Sequence, residues 1–171
     1  MDKHENNYAF IDSENLYKGV AGLGWKLDYR KFRIYLKHKY HVSKAFLFIG
    51  FIPENANLYR LLQEGGYILV FKPTLINKDG TSKGNVDAEL VLHTMIQYPN
   101  YDKAVLVTSD GDFGCLAEYL YGEEKLKKVL SPCHQKCSVL LRKQAKEKII
   151  FLDALRQKLA YIKITQRKST A

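Results

Sequence analysis

Short apolar runs, each the length of a buried strand, alternate with segments of helical periodicity along most of this chain. The clearest runs occupy residues 8–12, 44–52, 67–72 and 104–108. A strand that is apolar at nearly every position needs cover on both faces, as in a parallel sheet between two layers of helices. The alternation therefore predicts an α/β fold, a three-layer sandwich with a central, mostly parallel sheet.

The segments between these runs predict the helices. A basic amphipathic helix is expected over residues 27–40, and Pro53 begins another that Gly65 and Gly66 end. Further helices are predicted over residues 86–98, 113–121, 138–146 and 153–160. Two more strands are predicted over residues 128–130 and 149–152, the second at an edge of the sheet. The polar, glycine-containing stretch 77–84 predicts a loop.

The length of 171 residues fits a single domain. We assign residues 1–164 to it and expect residues 165–171 to be a mobile basic tail. The first residues, MDKHENN, lack the apolar core of a signal peptide, and no apolar run reaches the ~20 residues of a membrane-spanning helix. Three cysteines do not suggest a disulfide framework. We therefore expect a cytoplasmic protein with no membrane partner.

The net charge of +9 is distributed unevenly. Residues 1–120 are formally neutral, whereas residues 121–171 carry thirteen Lys and Arg against four Asp and Glu. Such asymmetry favours a polyanionic partner, because each neutralised phosphate releases counterions. A solvated surface that keeps the protein soluble explains it equally well.

Four aspartates lie where predicted strands end or predicted helices begin. Asp12 ends the first apolar run, Asp110 and Asp112 follow the run 104–108, and Asp87 opens the helix that follows the polar loop. The carboxyl ends of parallel strands and the adjacent helix N-termini meet in one crevice. Carboxylates gathered there repel one another unless a cation neutralises them, and Mg²⁺ and Mn²⁺ prefer oxygen ligands. The sequence therefore predicts a metal site.

Each aspartate also has a purely structural explanation. Asp12 suits a helix N-cap, and Asp87 suits the first turn of a helix, where an acid interacts favourably with the helix dipole. Asp112 stands where an N-cap would precede Phe113, which leaves Asp110 without a capping role. Only the combination of the four points to chemistry.

Polar residues beside these acids are candidates for substrate binding. Asn15 is placed to donate to a phosphate or to orient Asp12, and Lys83 is placed to bring an ammonium to a phosphate. Thr108 and Ser109 offer hydroxyl groups. In the basic last third, the spacing of one set of cations predicts an exposed helix face that binds RNA: Arg142, Lys143 and Lys146. A second basic stripe is formed by Arg30, Lys31, Arg33, Lys37 and Lys39, and base stacking is considered for Tyr119, Tyr121 and Tyr161.

Three segments together resemble a known family. FIDSENLY (10–17), KGNVDAELVL (83–92) and VLVTSDGDF (105–113) resemble the three acidic motifs of the NYN domain family, within the PIN-like nuclease superfamily. The likeness runs from residue 8 to residue 130 and continues more weakly over residues 137–159. It implies a PIN-like, Rossmann-like topology and a metal-dependent endoribonuclease, a hydrolase that uses Mg²⁺ or Mn²⁺.

By position in these motifs, Asp12, Asp87 and Asp110 match the principal acids of the family, and Asp112 matches its accessory acid. The expected reaction is metal-assisted hydrolysis of an RNA phosphodiester, without a protein nucleophile. One departure concerns His93, which stands where family members often have another aspartate.

Other functions compete with this one. A non-catalytic RNA-binding or scaffold module on the same fold is the main alternative. A phosphatase or nucleotide hydrolase is disfavoured, because no DxD follows the first strand and no GxxxxGK[ST] motif occurs. Cys133, His134 and Cys137 raise the question of zinc, but no second ligand pair has finger-like spacing, and Cys115 is expected in the core. Oligomeric state is open between a monomer and a homodimer that pairs exposed sheet edges.

Overall fold

The elements of the fold follow the predicted alternation closely. A computed structural model describes residues 5–72 and 87–163 in full and the backbone of residues 75–76 and 82–83. The strands are β1 (Asn7–Asp12), β2 (Val42–Gly50), β3 (Tyr67–Lys72), β4 (Leu75–Ile76), β5 (Ser82–Lys83), β6 (Ala104–Val107), β7 (Leu126–Ser131) and β8 (Ile149–Phe151). The helices are α1 (Ser13–Ala21), α2 (Tyr29–Tyr40), α3 (Ala56–Glu64), α4 (Asp87–Ile96), α5 (Gly114–Gly122), α6 (Val139–Ala145) and α7 (Arg156–Leu159).

The main sheet is parallel at every pairing in the described part of the chain. Its strand order is β3-β2-β1-β6-β7-β8, and β4 pairs with β5 in a separate antiparallel ribbon. All six residues of β1 are buried, as the apolar run predicts for a strand in the centre of the sheet. The predicted mostly parallel α/β sandwich is therefore confirmed.

Helices cover both faces of the sheet and divide the core into two halves. On one face, α1, α2 and α7 bury residues such as Leu16, Phe32 and Leu159 against the sheet. On the other face, α4, α5 and α6 bury residues such as Leu90 and Leu120. This arrangement gives the three layers that the sequence predicts.

The order in which the chain adds its parallel strands reverses at the centre of the sheet. From β1 the chain proceeds outward through β2 to β3, and it then returns to place β6 on the other side of β1, followed by β7 and β8. Neighbouring connections therefore leave β1 and β6 on opposite faces, and a crevice opens at the carboxyl ends of these two strands.

Several predicted boundaries needed correction. α2 begins at Tyr29 rather than at residue 27, because Asp28 caps it by accepting hydrogen bonds from the backbone N–H groups of Arg30 (3.0 Å) and Lys31 (3.1 Å). β2 ends at Gly50, so that Phe51 lies beyond the strand. The sequence predicted no bounds for the helix α1, which directly follows β1.

The second half of the chain also differs in detail. The loop expected over residues 77–84 contains β5 at Ser82–Lys83, and the rest of that stretch lies outside the described residues, as does the tail expected from residue 165. The fifth strand of the sheet is longer than residues 128–130, and β8 occupies the predicted edge. Throughout the described ranges, no helix combines the length and apolar character needed to cross a bilayer.

A glycine contact fixes α1 against the end of β7. A Cβ atom at Gly19 would lie 2.4 Å from the Cβ atom of Pro132, which directly follows β7. Real Cβ atoms do not approach so closely, so that only glycine lets α1 cross the sheet at this distance. The close approach brings the segment after β7 beside the crevice.

We expect Gly19→Ala to lower the free energy of unfolding by about 1–3 kcal/mol, because the added methyl group overpacks the contact with Pro132. Denaturant unfolding at neutral pH measures the change. Gly122→Ala is the matched control, since a Cβ atom there meets nothing within 4 Å and the substitution should be neutral or stabilising by up to about 1 kcal/mol. Equal stability of Gly19→Ala and the unmodified protein would contradict the close approach.

Candidate metal centre

Three carboxylates meet in the crevice at the carboxyl ends of β1 and β6. One oxygen atom from each of Asp87, Asp110 and Asp112 lies within 4.8 Å of the others. Asp87 and Asp110 are half-buried, and Asp112 is exposed. Residues distant in sequence are thus brought to spacings at which one cation is able to contact all three side chains.

The loop after β6 sets the positions of Asp110 and Asp112. Asp110 caps the short 3₁₀ turn Gly111–Phe113: its Oδ1 accepts a hydrogen bond from the backbone N–H of Asp112 at 3.0 Å. Its own N–H donates to Oγ1 of Thr108 at 3.1 Å. The expectation that Asp112 is the cap and that Asp110 has no capping role was wrong, since the turn begins two residues earlier than the sequence suggested.

The same loop is held by the start of α6. The backbone N–H of Ser138 donates to the carbonyl oxygen of Ser109 at 3.0 Å. A Cβ atom at Gly111 would lie 2.5 Å from Oγ and 3.1 Å from Cβ of Ser138, so a larger residue at position 111 would require Ser138 to shift. The loop that carries two of the three acids is therefore fixed on both sides.

Asp12 is buried and interacts electrostatically with Asp87 and Asp110, but it is not one of the three grouped acids. Asp12 is 5% exposed. Its Oδ1 accepts a hydrogen bond from the backbone N–H of Asn15 at 3.1 Å, which makes Asp12 the N-cap of α1. The pKa of the Asp12 carboxyl is raised to about 6, chiefly by burial and to a smaller extent by the charges of Asp87 and Asp110, while the Asn15 hydrogen bond lowers it. Asp12 thus belongs to the same electrostatic site, and its predicted capping role is also confirmed.

Asn15 joins the ends of β1 and β6. Its Oδ1 accepts hydrogen bonds from both the backbone N–H and the hydroxyl group of Ser109, each at 2.8 Å. Its Nδ2 amide group makes no hydrogen bond to any described residue. Ser109 is 7% exposed, and its hydroxyl proton is directed to Asn15. Contacts of Asn15 and Ser109 with substrate stay predictions, whereas their contact with each other is a feature of the fold.

The basic residues of α6 do not form the single exposed face that was expected. Nη2 of Arg142 donates to the carbonyl oxygens of His134 (2.5 Å) and Cys137 (3.2 Å), which makes Arg142 a half-buried brace of the preceding loop. Lys143 is exposed. Lys146 follows the far end of α6, and its Nζ lies 4.3 Å from the ring centroid of Tyr121. Their roles toward RNA stay predictions.

Other predicted RNA contacts lie far from the acids or serve the fold. Arg33 in α2 donates hydrogen bonds to three backbone carbonyl oxygens, and Nζ of Lys31 donates to the carbonyl oxygen of Ala160 at 2.9 Å. Tyr119 and Tyr121 occupy the last turn of α5, which leads into the amino-terminal end of β7, at the end of the strands opposite the crevice. The side chain of Lys83 lies outside the described residues.

One ion pair near the crevice was missed by the sequence analysis. Nζ of Lys72, at the end of β3, lies 3.6 Å from Oε2 of Glu89 in the first turn of α4. His93, one turn further, packs its ring at 5.5 Å from that of Phe48 and is outside the carboxylate group. Nothing in the linear spacing relates Lys72 to Glu89, because the pairing depends on how α4 lies against the edge of the sheet.

The cysteines do not form a metal site among the residues that the structure describes. Cys133 and Cys137 are buried and belong to no group of three ligands, and the His134 ring packs at 4.5 Å from the Phe151 ring. Cys115 is exposed, so the expectation that it is in the core was wrong. Cys115 lies on the solvent-facing side of α5. Because most residues of this helix are apolar, the sequence did not show which side faces solvent.

Comparisons with known proteins agree with the fold and the motifs. The model of the NYN domain matches residues 8–153. Among solved structures, a protein of unknown function from Vibrio parahaemolyticus is similar, with a TM-score of 0.75 and 22% sequence identity over 94% of this chain and 99% of that chain. At this identity the likeness concerns the fold alone. No curated protein matches significantly.

The buried carboxyl of Asp12 makes the stability of the metal-free protein depend on pH. Its pKa is about 6 in the folded state against 3.8 ordinarily, so that the folded state binds more protons between these values and stability falls as pH rises through them. We expect Asp12→Asn to be more stable than the unmodified protein above pH ~6, by up to about 3 kcal/mol, and the difference to vanish below pH ~4.

Denaturant unfolding in the presence of a chelator, repeated across this pH range, measures the difference. Asparagine keeps an oxygen atom that accepts the Asn15 hydrogen bond, so the cap is preserved in the variant. A stability difference that does not change with pH would show that the Asp12 carboxylate is not destabilised in the folded state.

Proposed function

Because this chain belongs to the NYN domain family, we propose that it is an endoribonuclease that hydrolyses RNA phosphodiester bonds with the help of Mg²⁺ or Mn²⁺. One observation carries the proposal: carboxylate oxygens of Asp87, Asp110 and Asp112 lie within 4.8 Å of one another in the crevice. A fourth carboxyl, that of Asp12, lies buried beside them. Such a concentration of acids suits a cation and has no use in a groove that binds phosphate directly.

The donor set fits a hard divalent cation. Every ligand offered is a carboxylate oxygen, the type that Mg²⁺ and Mn²⁺ prefer, and no thiolate or imidazole joins the group among the described residues. Asp87, Asp110 and Asp112 would hold the ion, with Asp12 behind them. When bound, it supplies Lewis-acid chemistry by lowering the pKa of a water molecule and neutralising charge that develops on the phosphodiester.

The protein's own contribution is to hold these groups in place. Asp110 is fixed by its hydrogen bond to the backbone N–H of Asp112, and Asn15 is fixed by its two hydrogen bonds from Ser109. With Oδ1 of Asn15 occupied, its Nδ2 group is the donor left for a phosphate oxygen. Preorganised groups of this kind stabilise a transition state without reorganising during the reaction.

RNA is the substrate that the charge distribution supports. The whole net charge of +9 lies in the last third of the sequence, and a polyanion is the partner that such an excess attracts. The acids themselves would repel a phosphate, so the cation is needed to hold a phosphodiester beside them, whereas the basic surface binds the rest of the strand. A cytoplasmic location and a homodimer remain predictions from the sequence.

We expect the protein to cleave a labelled single-stranded RNA pool with Mn²⁺ or Mg²⁺, and a chelator to abolish cleavage. Asp110→Asn should lower the rate by more than about 100-fold, since loss of even the neighbours of metal ligands costs ~10–100-fold. Asp102→Asn is the matched control. Asp102 precedes β6 at the amino-terminal ends of the strands, where its Oδ2 accepts a hydrogen bond from the backbone N–H of Asn6 at 2.7 Å.

The outcomes separate the two main functions. Metal-dependent cleavage by the unmodified protein and by Asp102→Asn, lost in Asp110→Asn, supports the nuclease. Undiminished cleavage by Asp110→Asn would remove Asp110 from the site. If no protein cleaves but all shift RNA in a gel, the fold serves as an RNA-binding module.

Metal binding should also release protons, independently of any cleavage. A cation beside Asp12 favours its ionised form, so Mn²⁺ binding at pH ~6 should release about half a proton, and binding at pH ~8 almost none. Calorimetric titration in buffers of different ionisation enthalpy measures this number. Asp12→Asn should abolish the release, and equal proton release by the two proteins would place the cation away from Asp12.

A further inference from the structure

Three aromatic rings meet at the carboxyl ends of β2 and β3. The Phe51 ring lies 5.5 Å from the Phe71 ring and 6.0 Å from the Tyr59 ring, and Tyr59 and Phe71 are 4.8 Å apart between centroids. Tyr59 is 6% exposed, and its hydroxyl group accepts the N–H of Ile52 and donates to the carbonyl oxygen of Gly50. Tyr59 therefore forms a fixed base under the other two rings.

The two outer rings face solvent. Phe51 is 47% exposed and Phe71 is 39% exposed, and their neighbour Ile52 is 48% exposed. Single exposed apolar residues are ordinary, but rings held edge to face in a contiguous patch indicate a binding surface. Because β2 ends at Gly50, Phe51 stands beyond the sheet rather than inside its core.

The residue after Phe71 is a lysine, Lys72. Lys72 follows Phe71, so its side chain points to the opposite face of β3, toward α4. Its Nζ lies 3.6 Å from Oε2 of Glu89, which holds it on the side of the sheet where Asp87 begins α4. That distance is too long for a strong hydrogen bond, and the ammonium group of Lys72, whose side chain is 17% exposed, donates none to any described residue. Its ammonium group retains donors for another oxygen ligand.

The strand register relates this surface to the acids. Asp12 pairs with Phe48 of β2, and the next residue of β2, Ile49, pairs with Phe71 of β3. Phe71 is therefore one residue further along the strand direction and two strands away from Asp12. Two strand spacings amount to ~10 Å, a span of roughly three stacked nucleotides at ~3.4 Å each.

We propose that single-stranded RNA leaves the acidic cluster across the carboxyl ends of β2 and β3, where Lys72 binds a phosphate and Phe51 and Phe71 stack against bases. The inference rests on the proposed function and specifies its substrate class. A cation that contacts the backbone beside aromatic rings that contact bases is how proteins bind single strands. A chain that crosses this edge meets Lys72 on the α4 side and then Phe71 on the α3 side.

The surface fits unpaired bases better than it fits other partners. A duplex keeps the faces of its bases stacked inside, so it cannot offer them to Phe51 and Phe71. An interface between two protein copies disfavours lysine, and Lys72 directly follows Phe71 at the end of β3. The surface therefore selects single strands.

The test measures RNA binding without cleavage. Fluorescence anisotropy of a labelled single strand of about 12 nucleotides is recorded in the Asp110→Asn background with chelator, at several salt concentrations. Phe51→Ala and Phe71→Ala should each weaken binding about 10-fold without changing the salt dependence. Lys72→Met should lower the slope of log affinity against log salt by about 0.7, the loss of one phosphate contact with a single strand.

Matched controls lie away from the carboxyl ends of the strands. Ile34→Ala removes an apolar side chain of α2 that is 55% exposed, and Lys44→Ala removes an exposed cation near the start of β2. Both should bind as tightly as the background protein. Thermal unfolding of each variant tests whether it is folded, above all for Lys72→Met, because the Lys72 side chain is only 17% exposed.

Conservative variants distinguish stacking from general apolar contact. Phe51→Trp should retain affinity, whereas Phe51→Leu should lose it as Phe51→Ala does. Full affinity in Phe51→Leu, or unchanged affinity in both alanine variants, would overturn the proposal. A dimer that Phe51→Ala converts to a monomer in sedimentation velocity, with unchanged RNA affinity, would also overturn it by identifying the rings as an interface between copies.

The proposal and the nuclease activity fail in different ways. If the metal-loaded protein cleaves RNA while Phe51→Ala and Phe71→Ala bind normally, the nuclease stands and the path across β2 and β3 is wrong. If binding depends on the rings but nothing cleaves, the path stands and the nuclease is wrong.

Discussion

Electrostatic repulsion among carboxylates is the constraint on which the rest of this structure depends. Asp87, Asp110 and Asp112 approach within 4.8 Å, and Asp12 lies buried beside them with a pKa raised to about 6. Such a group opposes folding unless the scaffold is rigid enough to hold it together. The parallel sheet supplies that rigidity by ending its two central strands at the same place, with helices packed on both faces.

Short polar links then transmit this rigidity to the side chains. The paired hydrogen bonds from Ser109 to Asn15 tie the loop after β6 to the first turn of α1, and the cap made by Asp110 orders the turn that carries Asp112. Residues that looked like candidates for substrate contact thus also position the acids. Asp12 caps α1 while its carboxyl interacts electrostatically with Asp87 and Asp110, so its capping role is compatible with the proposed metal site.

Periodicity and residue type were enough to predict the layers, the parallel sheet and the convergence of Asp87, Asp110 and Asp112. The strand over residues 67–72 was predicted to the residue, because both Gly66 and the change to polar residues bound it. Interactions between elements were beyond that reach. The cap at Asp110, the exposure of Cys115, the internal use of Arg142 and the pairing of Lys72 with Glu89 all depend on which surfaces face each other in three dimensions. Helical spacing assigned Lys143 and Lys146 to one face, but α6 ends between them.

The segment between β7 and α6 touches both walls of the crevice. At its start Pro132 presses on Gly19 of α1, and at its end Ser138 presses on Gly111 of the loop after β6. This short connection therefore contacts the elements on both sides of the crevice and constrains the distance between them. A bulkier side chain or an insertion between Pro132 and Ser138 would therefore change the spacing of the acids without touching any of them.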